Sequence, residues 1–233
     1  MRPIPVAEDL SSSTTAVEPV KPTWRGRLHQ AAFYLALPAG IALVAVARGT
    51  TARVAASIYA FSLVGLFGAS AAYHRLARSP RSRRWLKRAD HAMIFVLIAG
   101  TATPVAVLAL EPPWSVLLLL AVWGGAAAGI ALKLVRVDGF RVLTGTLYIA
   151  LGWVALLTLP QLLHTLSPAI LLLVLAGGLL YTTGAVVLLR NKPNPAPATF
   201  GYHEIWHSMV VAASACHYVA VILLVIAARS VIA

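Results

Sequence analysis

Apolar residues in this chain occur in seven long runs that are separated by short polar segments. Each run has about 20 residues, the length that an α-helix needs to cross the hydrocarbon core of a membrane. The runs predict seven transmembrane helices, at about 29–48, 53–74, 90–110, 113–131, 142–160, 168–189 and 202–226. Because the connecting segments are short, consecutive helices are expected to run antiparallel.

The composition supports this fold class. Hydrophobic residues make up 60% of the chain and charged residues only 11%, whereas a soluble domain has about 25% charged residues. So few charges cannot cover a surface that faces water. We therefore predict an all-α polytopic membrane protein with one seven-helix domain at residues 25–233. Residues 1–24 are polar and lack the apolar segment of a signal peptide, so we interpret them as a disordered cytoplasmic tail.

Lysine and arginine predict the orientation of the helices. In the predicted topology, 16 of the 19 basic residues lie on the side of the N-terminal tail. Basic residues concentrate on the cytoplasmic side of membrane proteins, so the N-terminus is predicted in the cytoplasm and the C-terminus outside. The net charge of +12 is therefore assigned to topology and to anionic lipid headgroups, not to nucleic acid. Residues 75–88 carry seven basic residues. They are predicted to form a cytoplasmic loop that contacts anionic headgroups, with topology control alone as the alternative.

Four ionisable residues from three predicted helices fall at one depth, near the cytoplasmic face. His74 ends the second helix, and Asp90 begins the third. His203 and His207 occupy the first two turns of the seventh. An ionisable side chain within a span is costly, so each of these residues is a candidate for a functional site.

Their spacing suits a metal ion. His203 and His207 are four residues apart, so they share one helix face and lie about 6 Å apart along the axis. Both imidazoles can reach one metal ion, and His74 can supply a third nitrogen. Three protein ligands and a water form the arrangement of a catalytic zinc site. Asp90 would then orient a ligand or accept the proton of the water. Ser70, one turn before His74, could bond Asp90 or an oxyanion.

Other interpretations of the acidic residues stay open. Asp90 could simply be the N-cap of the third helix. Glu204 completes the sequence H-E-x-x-H, a zinc-protease pattern in which the glutamate acts as general base. Alternatively, Glu204 could pair with Arg190 or Lys192 at the level of the headgroups.

The other histidines receive no catalytic role. His217 is ten residues beyond His207, which is about 15 Å further into the membrane. It is interpreted as a buried packing residue. His29 and His164 are expected near the membrane surfaces.

At these residues the sequence resembles the hemolysin III family, within the wider progestin and adiponectin receptor superfamily. Residues 70–74 resemble its S-x-x-x-H element, and residues 90–104 resemble its segment with D-H followed by A-G-T-x-T-P. Residues 200–207 are similar to its H-x-x-x-H segment, which often continues to a further histidine at the position of His217. The three motifs occur in the order of the family and extend over helices 2 to 7.

The resemblance implies a zinc site formed by His74, His203 and His207, with Asp90 and Ser70 as catalytic residues nearby. Related members of the superfamily are linked to ceramide hydrolysis. The implied chemistry is therefore the attack of a zinc-activated water on the amide carbonyl of a membrane lipid, with Asp90 as base. The implied location is a bacterial plasma membrane.

The sequence is also compatible with other functions. The protein could be a non-enzymatic, zinc-stabilised lipid sensor or receptor, or a regulator of membrane stress. The family name implies a pore-forming cytolysin, and H-E-x-x-H would suit an intramembrane metalloprotease. A protease predicts that Glu204→Gln abolishes activity while Asp90→Asn is mild, and the lipid hydrolase predicts the reverse.

Overall fold

The computed structural model describes residues 22–228, which form a bundle of α-helices. The α-helices in this range are α1 (Arg27–Val46), α2 (Thr50–Leu76), α3 (Pro80–Ala109), α4 (Trp114–Val135), α5 (Arg141–Trp153), α6 (Leu159–Thr165), α7 (Pro168–Arg190) and α8 (Tyr202–Ala227). A 3₁₀ turn at Val154–Thr158 joins α5 to α6. The extended structure found between residues 22 and 228 is one isolated bridge, between Ala196 and Phe200.

Within residues 22–228, seven segments are long and apolar enough to cross a membrane, which confirms the predicted number of spans. Large apolar side chains cover the outside of the bundle, for example Leu35 at 72% exposed and Leu120 at 66% exposed. A surface of this kind suits contact with lipid and not with water. The protein is therefore a multi-pass integral membrane protein. Its orientation stays a prediction, and most of the predicted N-terminal tail, residues 1–21, lies outside the described residues.

Helix α3 begins about ten residues earlier than predicted, at Pro80. Ser79 and Ser82 form a reciprocal capping box, with hydrogen bonds of 3.1 Å and 3.0 Å between each hydroxyl and the other residue's backbone N–H. Pro80 suits the first helical position because its missing N–H would have no partner there. The prediction of a loop over 75–88 is therefore wrong from residue 80 onward, because arginine and lysine are good helix formers. Asp90 is also not the N-cap of this helix.

The fifth span is broken into three pieces. It extends over Val142–Thr165 and consists of α5, the 3₁₀ turn and α6. The sequence predicted that this helix ends at Pro160. Instead, Pro160 lies in the first turn of α6, where a proline is tolerated because it needs no intrahelical N–H bond.

The helices form an up-and-down bundle. α8 packs against α7 and also against α1, α2 and α3, so the last helix contacts the first three. The N-terminal ends of α1, α3 and α8 meet the C-terminal ends of α2, α4 and α7, as shown by contacts of Gly26 with His74 and of Thr23 with Ala198. We call this the site end of the bundle. It is the end that the positive-inside rule assigns to the cytoplasm.

Small residues permit close approach between the central helices. Phe95 of α3 is completely buried and packs on Gly129 of α4, where an added Cβ would overlap the phenyl ring. Gly100 of α3 likewise faces the Ser62 side chain of α2. Close packing through small residues is typical of membrane bundles, where apolar burial alone does not hold helices together. This packing fixes the rotation of α2, α3 and α4, and therefore the direction of the polar side chains at their ends.

Candidate metal centre

Three histidines meet at the site end of the bundle. His74 lies in the last turn of α2, and His203 and His207 lie in the first two turns of α8. α8 can start immediately before them because Gly201 and Glu204 form a cap, in which the Gly201 N–H donates to Glu204 Oε2 at 3.0 Å. The spacing of four residues then puts both α8 imidazoles on the face that meets α2.

The separation of the ring nitrogens suits a metal ion. His203 Nε2 and His74 Nε2 are 3.3 Å apart, and one nitrogen from each of the three rings lies within 4.8 Å of the other two. In a tetrahedral site with metal–nitrogen bonds of about 2.0–2.1 Å, two ligand nitrogens are about 3.3–3.4 Å apart. His74 and His207 are buried, and His203 is half-buried. Together, these three side chains could hold a metal ion.

Asp90 and Ser70 lie beside this group. Ser70 is one turn before His74 on α2 and is buried at 1% exposure. Its side chain faces the carboxyl group of Asp90 on α3. Asp90 is 16% exposed and is not part of the group of ligands that lie within 4.8 Å of one another. The carboxyl group therefore faces Ser70, one turn from His74, and is not one of the three clustered ligands.

His29 is a neighbour of the trio that the sequence analysis missed. Its ring stacks on the ring of His207, with centroids 3.8 Å apart, and it also meets the ring of Phe67 at 5.2 Å. His29 is only 3% exposed, and both of its ring nitrogens are buried without a hydrogen-bond partner among the described residues. Its position in the first turn of α1 was the available signal, because that turn lies at the same depth as His74.

Glu204 has a different partner from the two suggested by the sequence. Its carboxylate accepts a hydrogen bond from Arg25 Nε at 2.6 Å, and it is 2% exposed. The other carboxylate oxygen accepts the helix-capping bond from Gly201. Both oxygens are thus held by structural contacts, and the pairing with Arg190 or Lys192 is not observed. A general base in a protease would need a free carboxylate oxygen, so this arrangement favours a capping role.

Arg25 belongs to a segment that crosses the site end of the bundle. In this segment, which we call the strap (residues 22–26), the N–H groups of Thr23 and Trp24 donate to the carbonyls of Ala198 and Thr199, at 3.1 Å and 3.2 Å. At its end, Gly26 adopts a φ of +80°, a conformation that favours glycine. A Cβ at this position would also overlap the side chain of His74. The strap therefore ties the start of α1 to the connection between α7 and α8, directly beside the histidines.

Two further histidines of the spans, His217 and His91, have contacts elsewhere. His217 Nε2 lies 3.2 Å from the carbonyl oxygen of Val174, and its ring contacts Tyr181 at 5.5 Å. His91 Nδ1 lies 2.8 Å from the Lys87 carbonyl oxygen. The contact of His217 joins α8 to α7, and the contact of His91 lies within α3. Neither histidine is part of the trio.

Comparison with known proteins gives a consistent result over most of the chain. A family model described as Haemolysin-III related matches residues 17–218. A protein named Hemolysin-3 from Bacillus cereus is 32% identical over 205 residues, which cover 87% of this chain and 90% of that protein. A Hemolysin-3 homolog from Bacillus subtilis (strain 168) is 30% identical over 197 residues, which cover 83% and 89% of the two chains.

Proposed function

Because this chain belongs to the haemolysin-III related family, we propose that it is a zinc-dependent hydrolase that cleaves an amide bond of a membrane lipid, as a ceramidase does. The family assignment made from the three sequence motifs is confirmed, and membership of the progestin and adiponectin receptor superfamily is consistent with it. The chain has seven spans and bacterial relatives, and it is therefore a multi-pass protein of a bacterial plasma membrane. The observation that carries the proposal is the convergence of three imidazoles at one end of the bundle.

The donor set supports zinc as the metal. Three neutral imidazole nitrogens suit zinc among the common divalent ions, whereas magnesium and calcium prefer oxygen ligands. Three protein ligands also leave a coordination position open for water or substrate, as catalytic zinc sites do. Among the described residues, no carboxylate joins the three imidazoles as a fourth ligand that would close the site.

Asp90 and Ser70 would perform the proton transfers. When bound, zinc would supply an activated water as nucleophile. Asp90 would accept a proton at a carboxylate oxygen and deliver it to the leaving amine. The Ser70 hydroxyl, which faces Asp90, would donate a hydrogen bond that holds that carboxylate in position. Burial of Ser70 and His74 would keep bulk water from these groups.

The position of the centre supports a lipid substrate. The histidines lie in the terminal turns of membrane-spanning helices, and therefore near the depth of the lipid headgroups. The amide of a sphingolipid such as ceramide lies at this depth, between the headgroup and the acyl chains. A water-soluble peptide, in contrast, would not be concentrated at this depth of the membrane.

Burial of the histidines supports a second candidate, a zinc-stabilised lipid sensor without hydrolytic activity. His74 and His207 are only 7% and 4% exposed, and the strap lies beside them. In this case the metal would clamp α2 to α8, and a lipid would act by opening or closing the bundle. The two candidates share the metal site and differ in turnover.

The first experiment measures bound metal. The full-length protein would be purified in mild detergent without chelator, and zinc per chain would be determined by elemental analysis. We expect about one zinc per chain, as one three-histidine site requires, and its loss in His74→Ala, His203→Ala and His207→Ala. His164→Ala is the matched control because His164 is an exposed histidine of α6. A folded wild type without metal would contradict both candidates.

The second experiment separates the two candidates. Release of a fluorescent acyl chain from a ceramide would be followed with wild type and with Asp90→Asn. Turnover by wild type, and its loss in an Asp90→Asn variant that keeps its zinc, would support the hydrolase. Zinc binding without hydrolysis of any lipid amide tested would favour the sensor. Leakage of dye from loaded vesicles would support instead the cytolytic activity implied by the family name.

A further inference from the structure

A shallow depression opens at the site end of the bundle, between the start of α3 and the connection from α4 to α5. Its volume is ≈ 380 Å³. Arg84 and Arg88 of α3 form one wall, and residues 135–139 form the other. None of the three histidines lines it.

Three arginines line this depression. Arg84 and Arg88 are four residues apart and therefore neighbours on one face of α3, and Arg136 lies opposite them. Guanidinium groups bind phosphate oxygens in pairs of parallel hydrogen bonds. The geometry therefore suits a phosphate oxygen as acceptor.

The carboxylate in the lining does not neutralise these arginines. Asp138 forms an ion pair with Lys87, and the hydrogen bond from Lys87 holds the pKa of Asp138 below its usual value. Asp138 is thus ionised at neutral pH, but its charge is balanced by Lys87. The three arginines keep their net positive charge.

A buried lysine braces the wall opposite α3. Lys133 of α4 is 3% exposed, and its amine donates to the carbonyls of Val137 and Gly139, at 3.3 Å and 3.4 Å. The ion pair between Lys87 and Asp138 joins the same connection to α3. Two independent contacts therefore hold the backbone that follows Arg136 in place opposite the start of α3.

Apolar surface adjoins the charged groups. The guanidinium carbon of Arg88 lies 5.0 Å from the ring centroid of Trp85, and Trp85 is 57% exposed. On the opposite side, Val135 and Val142 are 72% and 79% exposed. Aromatic residues at this depth typically lie among headgroups, with apolar side chains against the acyl chains. This combination suits a ligand with an anionic head and an apolar tail.

We propose that this depression binds the phosphate of an anionic phospholipid headgroup through Arg84, Arg88 and Arg136. The site is separate from the metal centre and requires neither zinc nor hydrolysis. This site would also assign the predicted contact between residues 75–88 and anionic headgroups to specific residues. Two of the seven basic residues of that segment form the site, and the third arginine comes from a different connection.

The test uses the full-length protein in neutral detergent and three additives: short-chain phosphatidylglycerol, phosphatidylcholine and inorganic phosphate. The increase of the melting temperature with additive concentration gives an apparent affinity. The pocket variant carries Arg84→Gln, Arg88→Gln and Arg136→Gln. The control variant removes the same charge at exposed arginines outside the depression, with Arg78→Gln, Arg81→Gln and Arg83→Gln.

We expect phosphatidylglycerol to stabilise the wild type far more than the other two additives. Its apparent affinity should fall about tenfold or more in the pocket variant, because each charge-assisted hydrogen bond contributes on the order of tenfold. The control variant should change by a few-fold only. An equal loss in both variants would show diffuse attraction and overturn the proposal. Equal stabilisation by inorganic phosphate would overturn the assignment to a lipid.

Stability of the variants is controlled independently. Zinc content and the melting temperature without additive report whether each variant is folded. If the pocket variant does not fold, the single variant Arg136→Gln replaces it, because Arg136 is exposed and follows α4. Phosphatidylglycerol affinity unchanged in a folded Arg136→Gln would also overturn the proposal.

Discussion

The ion pair between Arg25 and Glu204 joins the start of the first helix to the start of the last one. Replacing Arg25 with methionine keeps the bulk of its side chain and removes the guanidinium group. Glu204, at 2% exposed, would then keep only the capping bond from Gly201. We expect a marked loss of stability, because a buried carboxylate would remain without its counter-ion.

The magnitude follows from the burial of the two groups. Removing one partner of a fully buried ion pair costs about 3–5 kcal/mol. The Arg25 side chain is 22% exposed, so solvent screens part of the interaction. We therefore expect Arg25→Met to destabilise the protein by about 2–3 kcal/mol. Glu204→Gln keeps an oxygen for the capping bond and should cost about 1 kcal/mol.

A double-mutant cycle tests this reasoning. Unfolding of the wild type, Arg25→Met, Glu204→Gln and the double variant would be followed in mixed micelles with increasing denaturing detergent. The double variant should be more stable than the sum of the single effects predicts, by about 1–2 kcal/mol. A coupling energy below about 0.5 kcal/mol, which is within the usual limits of additivity, would refute the idea that the pair stabilises the fold.

Three further predictions concern the centre and its support. His29→Ala should weaken zinc binding by about three- to tenfold, because the ring that stacks on His207 is lost. His29→Phe keeps an aromatic ring and should restore most of the affinity. An equal loss of zinc affinity in both variants, measured by isothermal titration, would contradict this prediction. Gly129→Ala should destabilise the protein by about 1–3 kcal/mol through overlap with Phe95. Gly124→Ala, in the same helix with open space around it, should be neutral or stabilising in the same unfolding assay. Asp90→Asn should keep its zinc and lose about 10²–10⁴-fold in lipid hydrolysis, and full activity would exclude it as the base.

Features that depend on neighbours in sequence were predictable. The seven spans follow from runs of apolar residues, and the pairing of His203 with His207 on one helix face follows from their spacing. The depth of His74 relative to α8 follows from the alternating direction of the helices. These inferences need no knowledge of how the helices rotate against one another.

Features that depend on helix rotation were missed. His29 was assigned to the membrane surface, although its position in the first turn of α1 is compatible with either the surface or the interior. Glu204 was given partners near in sequence, whereas its actual partner is 179 residues away. The rotation of α1 and α8 is fixed by packing of small and large side chains, which the sequence pattern does not reveal.

The start of α3 was missed for a different reason. Its arginine-rich first turns resemble a polar loop, because charged residues usually face water. Arginine nevertheless has high helix propensity, and Ser79 with Pro80 provides a strong start signal. The loop-like composition also predicts Asp90 at the start of a helix, whereas it lies well inside α3.

Both the strap and the trio join residues from the first third of the chain to residues beyond 197, so neither can form before the last part of the chain is synthesised. His74 and His203 are 129 residues apart, and the strap bonds to residues near 198. The ribosome releases α1 and α2 long before α8, so during translation these helices enter the membrane with only one of the three histidines. Metal loading and the docking of the strap must therefore follow synthesis of the final helix. A nascent chain that is truncated before residue 203 lacks two of the three histidines, so only the completed polypeptide could form the proposed metal site.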